Sequence, residues 1–271
     1  MLPAKCDDEA MCGRYALIAK TDLLREFLDV AELDDPPPRY NIAPTQPILA
    51  VAAGEKRAAG SNLPERRALL VRWGFLPGWV KDPRDFPLLI NARAETAATK
   101  ASFRAAMRHR RILVPASGFF EWRRPAQKGA KSQAYWIRPR RGEIVAFAGL
   151  METWSSPDGS ELDTGAILTT AANGDIGHIH DRMPAVIRRE DFSRWLDCKA
   201  GEPRDVADLM RPAEERFFEA VPVSDRVNKV ANMGPEILEP VAEEKPQEKP
   251  GGAGAPGEAG SDAEPGQLSL F

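Results

Sequence analysis

Apolar and polar residues alternate along this chain in many short segments rather than a few long ones. Residues 12–19 (CGRYALIA) read as a strand that opens the first apolar run. Thr21 then stands at the N-cap of a short amphipathic helix with Leu23, Leu24, Phe27 and Leu28 on one face, and Asp35 with Pro36, Pro37 and Pro38 stops it. Apolar runs at 47–52 and 68–73 predict strands, separated by a polar loop from Gly54 to Pro64. Residues 39–44 and 90–96 follow neither period and read as irregular. So does 73–79, where two glycines and a proline interrupt three large aromatics. A helix is predicted around 101–108, and strands at 111–115, 117–122, 134–138, 144–150, 165–171 and 184–188. Helices follow near 190–198 and 203–210, with a last strand near 218–223. Short strands broken by glycine and proline, with no internal repeat and no regular βαβ alternation, predict an α+β fold with a largely antiparallel sheet.

From about residue 239 the composition turns to Glu, Lys, Pro, Gly and Ala, the signature of a disordered tail. Hydrophobic residues make up 43% of the chain, enough for a proper core. No apolar run reaches the roughly 18 residues of a membrane-spanning helix, so no membrane association is expected. The first ten residues are acidic and lack the apolar stretch of a secretory signal. Cys6, Cys12 and Cys198 cannot all pair and show no CxxC spacing, which predicts a reducing, cytoplasmic setting. Charge changes the picture further. The stretch from 242 holds six acids against two lysines and the first ten residues three acids against one lysine, so within a chain of net −3 the body 11–241 carries +3. A mildly basic body with acidic ends is compatible with a polyanionic partner.

Cys12 follows Met11 at the head of the first strand. If translation starts at Met11, or the residues before Cys12 are removed, Cys12 carries a free α-amine beside its thiol. Such a 1,2-aminothiol can form an imine with an aldehyde and close a five-membered ring through sulfur, because both nucleophiles sit on one carbon skeleton. With the preceding residues attached, that nitrogen is an amide and the route is closed. Three arrangements are open: a start at Met11 with the methionine removed, a propeptide (residues 1–10 and Met11) cut by the protein itself, or a retained extension and a non-covalent reader of DNA.

Three further residues sit in crowded contexts. Glu121 lies among aromatics in Ser117-Gly118-Phe119-Phe120-Glu121-Trp122, where desolvation would raise its pKa and suit it to acid/base work; the alternative is an edge-strand carboxylate facing water. His180, in Gly177-His178-Ile179-His180-Asp181-Arg182, is a proton shuttle that Asp181 or Arg182 can tune, with His178 read as structural. Asn91, followed by Arg93 and Glu95, can hold an amine or a sugar hydroxyl. A zinc site from Cys12, His178 and His180 lacks a fourth ligand at sensible spacing, so no metal and no cofactor is expected.

Taken in order, Met-Cys-Gly-Arg-Tyr at 11–15, Arg39-Tyr-Asn-Ile-Ala-Pro, Trp73-Gly-Phe, Ile90-Asn-Ala-Arg-Ala-Glu-Thr, Gly118-Phe-Phe-Glu-Trp, Leu168-Thr-Thr-Ala-Ala and His180-Asp-Arg-Met-Pro form a highly specific combination. Together they resemble the SRAP family, the SOS response-associated peptidase or abasic-site processing proteins, over about residues 11–236. The resemblance implies a single compact domain over 11–238 with a barrel-like sheet flanked by short helices. It also implies recognition of abasic sites in single-stranded DNA and covalent capture of the ring-opened sugar aldehyde as a thiazolidine. On that match Cys12 is the nucleophile, Asn91 positions the amine or the sugar, Glu121 shuttles protons, and His180 is the second acid/base. Strand-nicking lyase activity and self-removal of the leader are implied side reactions. Expected DNA contacts are Arg14, Asn41, Arg93 and Arg182, with Trp79, and less directly Phe75 and Phe119, stacking on bases. Trp73 and Trp122 are read as core, and Arg108-His109-Arg110-Arg111 as either an outer DNA track or a solvated helix end. The other function classes are a cysteine peptidase acting on other proteins and a non-covalent single-strand binder.

The last five residues, Gln267-Leu268-Ser269-Leu270-Phe271, resemble the peptide by which bacterial replication and repair proteins dock on the DNA sliding clamp. Leu268, Leu270 and Phe271 are the large apolar residues after Val241, and each contributes roughly 1.5–3 kcal/mol when buried. The flexible lead 239–266 gives a reach on the order of 25–30 Å. These features predict a monomer tethered near replicating DNA.

Overall fold

A computed structural model describes residues 13–55, 65–125 and 131–243. Cys12, the extension 1–10 and the Gln267–Phe271 peptide lie outside the described residues. The first half runs β1 (Arg14–Leu17), α1 (Thr21–Leu28), β2 (Arg39–Ile42), β3 (Pro47–Ala53), β4 (Arg66–Trp73), β5 (Asn91–Arg93), α2 (Ala94–Ala97), α3 (Arg104–His109), β6 (Arg111–Ala116) and β7 (Gly118–Arg123). The second half runs β8 (Gln133–Pro139), β9 (Val145–Ser155), β10 (Glu161–Ala171), β11 (Arg182–Pro184), β12 (Val186–Ile187), α4 (Phe192–Leu196) and β13 (Phe218–Val223). Segments of 3₁₀ helix at Pro83–Asp85, Arg189–Asp191, Pro203–Met210, Asp225–Asn228 and Pro235–Leu238 complete it.

Strands β10, β4, β3, β6 and β9 pair in that order, and β9 pairs back onto β10, closing a five-stranded barrel. The α+β class and the largely antiparallel, barrel-like sheet expected from the sequence are what is found. One edge of β10 is shared. β4 runs parallel to it at Thr164 and Gly165, and β5 takes over in parallel at Ile167 to Thr169. The handover happens at Gly74, whose φ of 139° and lack of a Cβ, which would stand 2.5 Å from the Leu88 side chain, let the chain leave the barrel. A second, fully antiparallel sheet runs β13-β8-β7-β1-β2. Its inner face, with Tyr15, Leu17, Phe119, Tyr135 and Ile137, joins the main core of the barrel. Its outer face, with Ala16, Phe120 and Trp136, is covered by Val227 and Ile237 from the last 3₁₀ turns. Gly118 permits that layering, because a Cβ there would meet Ile137 O at 2.4 Å and the Trp136 ring at 2.6 Å.

The differences from expectation are local. Residues 39–42 and 91–93 are strands, too short for a period to show. Residues 203–210 are 3₁₀ rather than α-helical, begun by Pro203 and a capping box between Glu202 and Asp205. Thr21 is the first helical residue, not the cap, and its hydroxyl donates to the Asp35 carboxylate. Leu24 and Leu28 are buried while Leu23 turns outward. The β9–β10 hairpin runs past its apolar part, since its backbone ladder continues through Glu161, Leu162 and Asp163.

Candidate active site and nucleic-acid interface

The site forms where β1 begins. Arg14 pairs with Phe120 and Tyr15 with Phe119, and this antiparallel register carried one residue further sets Gly13 opposite Glu121. On the other side, a Cβ on Gly13 would lie 3.7 Å from Ile90 Cδ1, and Ile90 immediately precedes Asn91. The chain therefore enters β1 between Glu121 and the head of β5. Trp73 ties this junction down: its indole N–H donates to Ile90 O at 2.9 Å, and its ring meets Tyr15 edge-on at 5.4 Å. Glu121 is 3% exposed on a strand flanked by β1 and β8, so the solvent-facing edge-strand alternative is excluded. Its cross-strand neighbour on the same face is Tyr135.

Around β10 the ladder gathers the other expected residues. Asn91 lies beside Ile167 and Arg93 beside Thr169, while on the opposite edge Thr169 pairs with Pro184 and Ala171 with Arg182. Arg182 clamps Glu95 in a two-pronged ion pair at 2.6 and 2.8 Å and also donates to Thr169 O at 2.6 Å. The Arg182 bond holds the Glu95 carboxyl below its usual pKa. The turn that delivers His180 is pinned from Asn173, whose amide donates to the carbonyls of Ala213 and Glu214 at 3.2 and 3.0 Å. Asp175 beside it accepts from the amides of Arg216 and Phe218, each at 3.0 Å. His180 Nδ1 accepts the Arg182 amide at 3.0 Å, which puts the proton of the neutral ring on Nε2. Asp181 Oδ1 lies 3.1 Å from the same nitrogen.

The expected DNA contacts divide sharply. Trp79 is 61% exposed, braced edge-on against Phe86 at 5.4 Å, and its loop is held by the Trp154 indole, which donates to Val80 O at 2.6 Å. Trp154 pairs with Leu162, so the level of β10 that anchors this loop lies about 16 Å from the level of Asn91. Arg93 is exposed. Phe75 and Phe119 are buried in the core and cannot stack on bases, while Trp73 is core as expected. Arg14 and Asn41 need a correction as direct contacts. Asn41 is 4% exposed; its amide donates to the carbonyls of Val227, Lys229 and Asn232 at 3.2, 3.2 and 2.9 Å, and its oxygen accepts from Arg14 at 2.9 Å. Arg14 also donates to Val227 O at 2.6 Å and Asn228 O at 3.2 Å. Arg14 alternates with Tyr15 and so lies on the outer face of the sheet, away from Glu121. Both residues anchor the 227–232 segment, joined by Trp122, whose indole donates to Asn228 Oδ1 at 2.8 Å. The Arg182 fork is likewise occupied by Glu95 and orients it. The basic cluster at 108–111 is divided: His109 and Arg110 are exposed at the helix end, with Arg110 on Thr153 and Glu152, while Arg108 holds Cys198 O and Glu202 and Arg111 is buried against helix-end carbonyls. Among the described residues no group of three or more His, Cys, Asp and Glu side chains is placed to hold a metal ion.

Comparison with known proteins places this geometry. The family model described as SOS response associated peptidase (SRAP) matches residues 11–230. The chain belongs to the SRAP family. This SRAP chain is 36% identical over 232 residues to the abasic site processing protein YoqW of Bacillus subtilis, covering 84% of the chain and 99% of that protein. It is 34% identical over 240 residues to the abasic site processing protein YedK of Escherichia coli, covering 85% and 100%. The abasic site processing protein HMCES of Gallus gallus is 33% identical over 237 residues, covering 78% of the chain and 68% of that protein. A crystal structure from Bacteroides thetaiotaomicron shares the SRAP fold at a TM-score of 0.71 and 24% identity, covering 85% of this chain and all of that one.

Sequence reasoning missed several residues that shape the SRAP site. Asn173 and Asp175 act only as anchors for the His180 turn, although an Asn-Gly-Asp run is a turn signal that marks their place. Tyr135 reaches the Glu121 face through cross-strand pairing, which the chain order does not display, and Arg123 shares that face two residues further along β7. His178 lies against Tyr135, ring centroids 6.3 Å apart.

Proposed function

We propose that this chain captures abasic sites in single-stranded DNA by forming a thiazolidine through an N-terminal Cys12. The relatives named abasic site processing proteins support the substrate. The observation that carries the chemistry is Gly13, the residue after Cys12, set between buried Glu121 and the Ile90–Asn91 turn. The α-amine of Cys12 adds to the C1′ aldehyde of the opened sugar and loses water to give an imine. The thiol then adds across the C=N bond, sulfur to carbon and proton to nitrogen, closing the ring. Glu121 carries protons during ring opening and dehydration, Asn91 orients the amine or the sugar, and His180 serves as the second acid/base. The imine is also set up for β-elimination, which gives a lyase side reaction, and exposure of Cys12 by self-cleavage is the peptidase activity that fits. Arg93 and Trp79 supply phosphate and base contacts. The Gln267–Phe271 peptide tethers the monomer to the sliding clamp.

The test is a uracil-containing single strand mixed with protein, with and without uracil glycosylase, run on a denaturing gel beside intact-mass analysis of the protein. A shifted band that requires the glycosylase, a protein mass beginning at Cys12, and loss of the band in Cys12→Ala are expected. A band that persists in Cys12→Ala, or none with a chain that begins at Cys12, overturns the proposal.

A further inference from the structure

Two residues along β7 from Glu121, on the same face of the strand, the guanidinium of Arg123 lies over the Tyr135 ring at 5.4 Å. Arg123 Nη1 and the Tyr135 hydroxyl both donate, at 2.5 Å each, to one oxygen of Glu243. Burial and the Glu243 bond push the Tyr135 hydroxyl up to about 12, and the bonds from Tyr135 and Arg123 hold Glu243 below its ordinary value. The His178 ring stands edge-on to Tyr135. Two convergent donors on one oxyanion, at the rim of the Glu121 face, are the chemistry of a phosphate site. The carboxylate in it comes from the end of the chain: Val241 donates to Pro222 O at 2.9 Å and Pro240 bridges Val223, which lays residues 240–243 along β13 and up to Arg123. From Glu243 onward the sequence is the acidic tail.

Resting on the proposed single-strand substrate, we infer that Arg123 and Tyr135 form a subsite for a DNA phosphodiester flanking the captured sugar, and that Glu243 fills it in the free protein as a carboxylate stand-in for that phosphate. DNA and the root of the tail then compete for the same two donors. Because Arg123 is already neutralised by Glu243, filling the subsite with phosphate releases little net counterion in the wild-type chain. Without the Glu243 charge, the same contact releases one.

The experiment is fluorescence anisotropy of the full chain with a labelled abasic single strand carrying a reduced, non-crosslinking sugar, titrated over a range of salt concentrations. Glu243→Gln is expected to bind about two- to five-fold tighter at low salt, the range set by one exposed ion pair. Its log–log salt slope is expected to steepen by about 0.7, one phosphate contact on a single strand. Both changes disappear in Glu243→Gln/Arg123→Gln. The inference is overturned if Glu243→Gln binds no tighter than wild type, or if its gain survives undiminished in the double variant. Equal binding by wild type and Glu243→Gln removes the subsite and leaves the abasic-strand function standing, whereas absence of strand binding in every variant removes both.

Discussion

Replacing Asn41 by alanine deletes one buried amide that gathers three carbonyls of the 227–232 segment and one arginine. An NH₂ group has two hydrogens, so the three donor contacts at 2.9–3.2 Å amount to about two good bonds, and the oxygen adds one charge-assisted bond from Arg14 at 2.9 Å. Net values of about 1 kcal/mol for each amide bond and about 1.5–3 kcal/mol for the bond to a charge give a ceiling of about 5 kcal/mol. Compensation lowers it. Val227 O keeps Arg14 and Lys229 O keeps the Asn232 amide, so a loss of about 2–3 kcal/mol is expected. For a domain of this size that is a fall in Tm of roughly 4–12 °C. Differential scanning fluorimetry measures it, paired with strand-binding affinity well below the transition, where the anchored segment is folded in both proteins. An anchoring role predicts the Tm loss with affinity changed less than about two-fold. A direct DNA contact predicts the reverse, and an unchanged Tm with a large affinity loss would refute the argument. Asn41→Asp separates the two halves of the network, because it keeps the acceptor for Arg14 and loses the donors to the carbonyls.

Further outcomes follow from other side chains. Arg111, 2% exposed, donates to the carbonyls of Trp195, Met107 and Asp197 at 2.6, 2.9 and 2.7 Å; Arg111→Met should cost at least about 3 kcal/mol in urea unfolding, and Arg111→Lys should not restore it, because a single ammonium cannot span the fork. The Tyr15 hydroxyl is buried with no hydrogen-bond partner among the described residues, so Tyr15→Phe should hold or raise stability by up to about 1–3 kcal/mol; a fall in Tm contradicts this. Trp79→Ala should weaken strand binding by about 1–3 kcal/mol with little change in Tm, as measured by anisotropy and thermal melts. Glu95 has its folded pKa lowered by Arg182, so its stabilisation is complete above the ordinary value of 4.5 and is lost as pH falls through the lower folded value. The Glu95 carboxylate is half exposed and so contributes only about 1 kcal/mol, and the acid limb of a stability–pH profile should flatten in Glu95→Gln.

How far the sequence carries can be judged from particular elements. The strands of the barrel were legible because their apolar runs are long and buried on both faces, as in Ile48 to Ala52 and Val145 to Leu150. β2 and β5 were not, because three or four residues cannot display a period and their pairing partners lie far along the chain. The motif residues Asn91, Glu121 and His180 stand out in the sequence because each lies in an unusual local context. Their neighbours do not. Arg14, Asn41 and Arg182 look like phosphate ligands in a sequence because a cation or amide in a loop is shown without its partners, and only the fold reveals the carbonyls and the carboxylate that occupy them. The 108–111 cluster misleads in the same way: four basic residues in a row suggest a track, yet three of them are held by oxygens that the fold supplies.

The arrangement also bears on the proposed role of a terminal Cys12 as nucleophile. A chain end ordinarily keeps the backbone freedom that folding removes elsewhere, about 1–2 kcal/mol per residue, and a nucleophile left with that freedom loses the advantage of proximity. Here β1 begins at Arg14, two residues after Cys12, and lies inside its sheet with β2 on one side and β7 on the other. Tyr15 to Leu17 are buried, so the strand cannot fray without exposing core. Gly13 is thereby fixed between Glu121 and Ile90, and one peptide unit joins it to the reacting residue. Placing β1 between two neighbours, rather than at the edge of the sheet, is the part of the fold on which the proposed chemistry depends. Weakening that placement should slow capture without touching any reacting group. Gly118→Ala, which drives a methyl into Ile137 O beneath the β1–β7 ladder, is expected to reduce the rate of crosslinking more than Trp79→Ala does at saturating DNA, and equal rates would show that the strand does not set the geometry.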